Sequence, residues 1–448
     1  MNKKLTIYLL LLTFYNLLFS QIKKPIVAQN PVNGYTINIT TKNLAKEKIL
    51  FYFVYGTTKQ NVIVDSLTIK SDSQKVTFKM DKKIIGGIYF LQIASNPKTV
   101  ELAIDNNTKI NLELGNKNIE TIKCTLSSEN KDFLDYQNQL KMLDIPQKNA
   151  LRNSLLKKYP NSILNLYFKI ENKISETQPQ TLDEKIKFRN SFFSFMDKTD
   201  KRIYLIPNIY KLLYSYVNIL PITNENYIQN IDLLLNGMDC KLTTYPVYTK
   251  WFISNLNYFE SKNLEKAYTY FFKKYVDDVK CDILTNVEKN AEKNRYITST
   301  KLPNGSVIPD FTMVDSDLKE YKIASICPQN EYTFIAFFSP SCIHCQETIP
   351  KVKILFDQLI AFYPTHKIKV VSILNDKDES LWSKFIADNK LENWLNLKNT
   401  NPANKYQETL NAYSNPNFFL VDTTGKIILK SFNPFAIAEI FKQNLKKN

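Results

Sequence analysis

Residues 332–350 read YTFIAFFSPSCIHCQETIP, and the two cysteines in this stretch, Cys342 and Cys345, offer the most chemistry in the chain. A C-x-x-C pair can close a small disulfide ring, supply half of a zinc site, or exchange disulfides with another molecule. A zinc site needs a second pair of ligands. No second C-x-x-C is present, and beside His344 the chain has one other histidine, His366. A structural bridge across two residues closes little chain and gains little loop entropy. The flanking residues favour exchange. Tyr332 to Phe338 is an apolar and aromatic run that reads as a buried strand, Ser339-Pro340-Ser341 reads as a turn, and a helix follows. That order places Cys342 at a helix N-terminus. There, unpaired backbone N–H groups and the positive end of the helix dipole stabilise an anion. The anion is a thiolate, the nucleophile of disulfide exchange. Cys345 lies one turn on, on the same helix face.

The elements that must hold these sulfurs follow from hydrophobic period. Within residues 309–448 a short extended stretch to about Cys327 leads into the strand 332–338 and its helix. A second apolar strand, 366–374, comes next, then helical patterns at 378–389 and 403–413. Strands at 417–422 and 426–430 and a last helix at 435–446 complete the order. Residues 297–308, with Pro303 and the turn pair Asn304-Gly305, read as a linker. Residues 125–296 carry apolar side chains at three- and four-residue intervals and predict amphipathic helices, with Pro160-Asn161-Ser162 as one helix start. Their aromatic stretches, KLLYSYVNIL and YTKWFISNLNYF, are expected in the bundle core. Residues 25–123 hold about seven short runs rich in Val, Ile, Phe and Tyr, separated by polar turns, the spacing of a β-sandwich. The chain is therefore expected to be multidomain: an N-terminal all-β sandwich, an α-helical middle domain and a C-terminal α/β domain.

The 448 residues leave room for several such units. Met1 to Ser20 has Lys3 and Lys4 ahead of a leucine-rich stretch, the pattern of a signal peptide (residues 1–20) cleaved near Ser20–Gln21. An uncleaved N-terminal membrane anchor is the alternative. No cysteine lies near that junction to take a lipid. The formal charge is +16, but the lysines are scattered among acids and asparagines, so no nucleic-acid partner is expected. With eight glycines and no G-x-G-x-x-G or Walker-type loop, nucleotide binding of those kinds loses support. Four further cysteines, Cys124, Cys240, Cys281 and Cys327, allow three pairings. Cys240 with Cys281 is one, and buried free thiols are an equal reading.

The C-terminal third resembles the TlpA/ResA-like thiol–disulfide oxidoreductases of bacterial envelopes. The likeness rests on IPDF (308–311), FFSPSCIHCQETIP (337–350), VVSILND (370–376) and SNPNFFLVDTTGKI (414–427). It implies a thioredoxin fold for 309–448, with the two preceding regions similar to N-terminal extensions in some relatives. It also implies that Cys342 is the exposed attacking thiol and Cys345 the deeper resolving thiol. Pro416 would be the cis-proline facing the pair, and the backbone of Asn415 would pair with the bound substrate chain. The partners implied are thiol- or disulfide-containing envelope proteins and a membrane redox partner that recycles the pair. No cofactor or metal is implied.

The chain departs from that family at three places. Ser341 stands where many relatives have Trp, which leaves the sulfur more open. Thr348 stands where some carry a functional acid, with Glu347 turned to another direction. The inner dipeptide is Ile343-His344. His344 is either a solvent-facing helix residue without a role or a tuning residue. In the second case its imidazole stabilises the thiolate and the reduced form, which makes the disulfide more oxidising. Two other functions stand beside exchange. A thiol peroxidase would need Pro and Thr seven and three residues before the reactive cysteine, where this chain has Ile335 and Ser339. A binding or scaffold protein with a vestigial thioredoxin domain would suit the first two thirds, where no chemistry is visible.

Overall fold

A computed structural model describes residues 34–55, 60–115, 122–258, 262–376, 379–410, 412 and 415–445. The expected leader, residues 1–20, lies outside them. No helix among the described residues is long and apolar enough to cross a membrane.

The N-terminal unit is built from β1 (Tyr35–Lys42), β2 (Lys48–Tyr55), β3 (Gln60–Thr68), β4 (Ser73–Met80), β5 (Gly87–Ile93), β6 (Thr99–Ile104), β7 (Thr108–Gly115) and β8 (Lys123–Thr125). They form two four-stranded sheets, ordered β4-β1-β7-β8 and β3-β2-β5-β6. Period-two patterning makes the first sheet one-sided, whereas β5 is buried on both faces, with Ile88 and Phe90 packed in the helical core. In β1, Tyr35, Ile37 and Ile39 are buried while Asn38 is exposed. Those residues meet Phe51, Phe78, Tyr89 and Leu91 in one core, where Phe51 stacks on Tyr89 at 5.3 Å. The seven runs expected from the sequence are all strands; β8 is an addition of three residues.

The middle unit holds α1 (Ser128–Gln139), α2 (Ile145–Lys158), α3 (Ile163–Ile174), α4 (Leu182–Asn190), α5 (Ile209–Val217), α6 (Asn224–Leu235), α7 (Tyr245–Tyr258), α8 (Glu265–Phe272) and α9 (Asn286–Lys301). Ser162 caps α3 by accepting from the Leu164 N–H, at the start the sequence marks. Tyr216, Tyr227, Tyr248, Phe252 and Tyr268 are buried in a single core, so the aromatic stretches are packing. The two units meet closely at Gly87, where a Cβ would lie 2.3 Å from the Leu205 side chain.

The C-terminal unit runs through β9 (Thr312–Val314), β10 (Glu320–Lys322), α10 (Ile323–Ile326), β11 (Tyr332–Phe338), α11 (Ile343–Phe362), β12 (Ile368–Leu374), α12 (Trp382–Asp388), β13 (Leu395–Leu397), α13 (Tyr406–Leu410), β14 (Asn417–Asp422), β15 (Ile427–Ser431) and α14 (Pro434–Leu445). Its main sheet is ordered β13-β12-β11-β14-β15. β12 is parallel to β11, and β14 is antiparallel to it. Every residue of β11 is buried, as a central strand covered on both faces requires. Phe334, Ala336 and Phe338 face α11 and α14, whereas Ile335 and Phe337 face a second core with Phe311, Ile323 and Phe419.

Two expectations are corrected here. The stretch before Cys327 is not extended throughout, because Ile323, Ile326 and Cys327 bury at helical spacing as α10 and a following turn. The segment 297–308 is not a free linker. α9 continues to Lys301, and residues 305–308 then lie along the β15 side of the sheet. Gly305 N–H donates to Ile427 O at 2.7 Å, Ile427 N–H to Ser306 O at 2.8 Å, and Ile308 N–H to Gly425 O at 2.8 Å. This covers a sheet edge. Lys430 on β15 reaches back to the α9 C-terminus, donating to Thr298 O at 2.5 Å and to Leu302 O, with Glu265 at 3.3 Å. Helix-end carbonyls and one carboxylate satisfy a buried ammonium there.

Cys240 and Cys281 are joined in a disulfide across 41 residues of the helical unit, while Cys124 and Cys327 are free and buried. Cross-linking a loop of that length is expected to contribute about 3–4 kcal/mol. Replacing both cysteines by serine should lower the denaturant midpoint of the helical unit, and dithiothreitol should lower the wild-type midpoint to match.

Candidate active site

Strand β11 delivers the chain to the sheet's upper edge at Phe338, and the polypeptide leaves the core through Ser339-Pro340-Ser341. Cys342 is the N-cap residue of α11, with φ −82° and ψ 119°. Its N–H donates to Ser339 O at 3.2 Å and its carbonyl accepts from Gln346 N–H at 3.0 Å, so the residue is fixed on both sides. The Gln346 side chain ties the turn to the helix by donating to Pro340 O at 2.8 Å. The Cys342 sulfur is partly exposed, above a helix N-terminus that favours negative charge.

Cys345 is completely buried, one turn deeper, in the core with Phe338, Ile349 and Phe418. Burial pushes its thiol up to about 12, and the neighbouring Cys342 and Asp376 push the same way against the Ser339 backbone N–H. The two sulfurs are unbridged and within hydrogen-bonding reach of each other. One is therefore presented to solvent and the other is held protonated below it.

Because β14 is antiparallel to β11, its start lies beside the end of β11, with Asn417 opposite Phe337. This brings residue 415 to residue 342 across 73 positions of sequence. The Cys342 thiol donates to the carbonyl of Asn415 at 3.6 Å, and the Asn415–Pro416 peptide is cis. Cys342, Cys345, Asn415 and Pro416 thus converge at one sheet edge. The His344 side chain is exposed at the rim, in the first turn of α11. Thr348 is half-buried and Glu347 exposed, so no carboxylate stands beneath Cys345 on that helix face.

Two residues to which sequence reasoning gave no place in the site hold it together. Asn375 follows β12 and is buried. Its side-chain N–H2 donates to Asn415 Oδ1 and to Ala412 O, each at 2.7 Å, and Asn415 Nδ2 donates back to Asn375 O at 3.1 Å. Its Oδ1 accepts from Tyr406 OH at 2.9 Å and Gln407 Nε2 at 2.5 Å. Asp376 accepts hydroxyl hydrogen bonds at one oxygen from Ser341, at 2.7 Å, and from Ser339. The available signal was an Asn-Asp pair closing an apolar strand, since clefts in α/β sheets open at the carboxyl ends of strands.

Among the described residues, Asp239, Cys240 and Cys281 form a grouping of ligand atoms, but the two sulfurs are bonded to each other. The dithiol site has the parts for covalent exchange: an open nucleophile, a second sulfur in reach, and a main-chain acceptor beside the nucleophile.

Residues 330–427 match the thioredoxin-like family, a span that contains β11, the cysteine pair and β14. The C-terminal unit is a thioredoxin-like α/β domain, as expected. No curated protein matches the chain. Among solved structures it is similar to a thioredoxin-like protein from Bacteroides caccae, at 17% identity over 60% of this chain and 97% of that one, with a TM-score of 0.43. A thiol:disulfide interchange protein from Bacteroides sp. is similar at 19% identity over 33% of this chain and 92% of the other, with a TM-score of 0.29. The thioredoxin domain of a thiol-disulfide oxidoreductase from Bacteroides vulgatus is similar at 19% identity over 32% and 98%, with a TM-score of 0.28.

The contrast between the sulfurs predicts selective labelling. Iodoacetamide at neutral pH should alkylate Cys342 in the native reduced protein and leave Cys345, Cys124 and Cys327 unmodified, as peptide mass spectrometry would record.

Proposed function

We propose that this protein is an exported thiol–disulfide oxidoreductase of the TlpA/ResA-like kind, exchanging disulfides with envelope proteins through Cys342 and Cys345. The observation that carries this reading is the Cys342 sulfur, partly exposed at a helix N-terminus, 3.6 Å from the carbonyl of Asn415, above the buried Cys345. The thiolate of Cys342 attacks a substrate disulfide. A mixed disulfide forms, and the other substrate sulfur leaves as a thiolate that takes a proton from water. Cys345 then loses its proton and attacks the Cys342 sulfur, expelling the second substrate thiol and closing the protein disulfide. Two electrons have passed from the dithiol to the substrate, and the reverse sequence oxidises a dithiol.

In this reading the main chain at Asn415 and Pro416 is the edge on which the substrate segment lies. The Asn375 amide, by holding the Asn415 side chain, keeps that main chain turned toward Cys342. Export is supported by the pattern of residues 1–20 and by the Cys240–Cys281 disulfide, since such bonds persist in oxidising compartments. The pair would be recycled by a membrane redox partner. His344, one residue from Cys345 and exposed at the rim, acts as a tuning residue that favours the thiolate form.

Two tests follow from the mechanism. Cys345→Ser should accumulate a covalent complex through Cys342 that a reductant dissolves; recovering partners that are all non-covalent would contradict it. His344→Pro, equilibrated with glutathione, should make the couple several-fold more reducing, and an unchanged equilibrium would remove the tuning role.

A further inference from the structure

The tip of strand β12 carries two polar residues in succession after an apolar run. Asn375 grips one wall of the site through Asn415. Asp376 grips the other, because one of its oxygens accepts hydroxyl hydrogen bonds from both Ser339 and Ser341. Those serines flank Pro340 in the turn that delivers Cys342. Their hydroxyls also lie 2.8 Å from each other, and the Ser341 N–H donates to Ser339 Oγ at 3.2 Å, so turn and carboxylate form one closed network. Ser339 is itself buried, which keeps water from replacing the carboxylate. Through its hydrogen bond with Ser341 the carboxylate stands one residue from Cys342, the sulfur that ionises in exchange. A negative charge beside a dithiol disfavours its ionised form.

We infer that Asp376 is a positioning residue that sets the redox preference of the pair. Its carboxylate fixes the Ser339–Ser341 turn before Cys342, and its charge, held one residue away, opposes a thiolate at Cys342 in the reduced form, making the couple more reducing. This rests on the exchange reading above. The reaction it biases is protein dithiol plus glutathione disulfide giving protein disulfide plus two glutathione thiols. Two electrons and two protons leave the protein and appear on the glutathione sulfurs. A reduced form stabilised by ionisation shifts this balance toward the dithiol.

The experiment is a glutathione equilibrium on the full chain in wild type, Asp376→Asn and the double variant Ser339→Ala/Ser341→Ala, with thermal unfolding as the check on folding. Asn keeps an acceptor for the serine hydroxyls and removes the charge. Asp376→Asn should raise the fraction reduced, lowering this equilibrium constant by about three- to tenfold, where tenfold is about 30 mV for this two-electron couple. The double serine variant keeps the charge and should slow exchange without lowering that constant. Asp376→Ser removes the charge with a smaller group and is read the same way should Asp376→Asn not fold. A folded, uncharged variant within twofold of wild type overturns the inference and leaves the exchange reading standing. An equal fall in the double serine variant also overturns it, by assigning the shift to a loosened turn. A wild type that does not equilibrate with glutathione at all overturns the exchange reading and this inference with it.

Discussion

A sulfur held at the start of a helix, facing a backbone carbonyl across a narrow gap, is the constraint on which the C-terminal unit depends. The helix end supplies partial positive charge worth about 0.3–1 kcal/mol at an exposed site and up to about 2 kcal/mol when partly buried. That gain exists only while Cys342 stays at the junction between β11 and α11. The junction is held in turn by the complete burial of β11 and by the Ser339 carbonyl that receives the Cys342 N–H. The opposing carbonyl of Asn415 requires the start of β14 to lie beside the end of β11, which the antiparallel register with Asn417 opposite Phe337 provides.

The same geometry divides labour between two chemically identical side chains. One helical turn separates them, yet Cys342 meets solvent and Cys345 meets Phe338, Ile349 and Phe418. Desolvation of the second thiol keeps its proton on. The site is thus poised by burial more than by any additional catalytic group. The tip of β12 completes it, with Asn375 holding one wall and Asp376 the other. The rest of the chain touches this arrangement at the β15 side, where Lys430 is bound to the end of α9 and to Glu265.

Local periodicity made much of this legible. TINIT and KINLEL gave strands because alternation over a one-sided sheet leaves a mark in sequence, and the sandwich followed from their spacing. The β11–turn–α11 order around Cys342 and Cys345 was legible for the same reason. The position of Pro416 came from a resemblance. What was hidden depends on distant partners. Asp376 meets Ser339 across 37 residues and Asn375 meets Asn415 across 40, distances at which a single sequence carries no pairing signal. The Cys240–Cys281 bond was one of three pairings until geometry closed it. Residues 297–308 read as a linker because Pro303, Asn304 and Gly305 are turn formers; the segment docks at the β15 side through hydrogen bonds to residues more than a hundred positions later.

Reduction of insulin disulfides in the presence of dithiothreitol tests the central claim most directly. The account predicts that the wild-type protein hastens precipitation of the freed insulin chain, and that Cys342→Ser, folded to the same stability, falls to the rate of dithiothreitol alone. Equal rates for the wild type and Cys342→Ser would mean that the sulfur at the helix start does not perform the exchange.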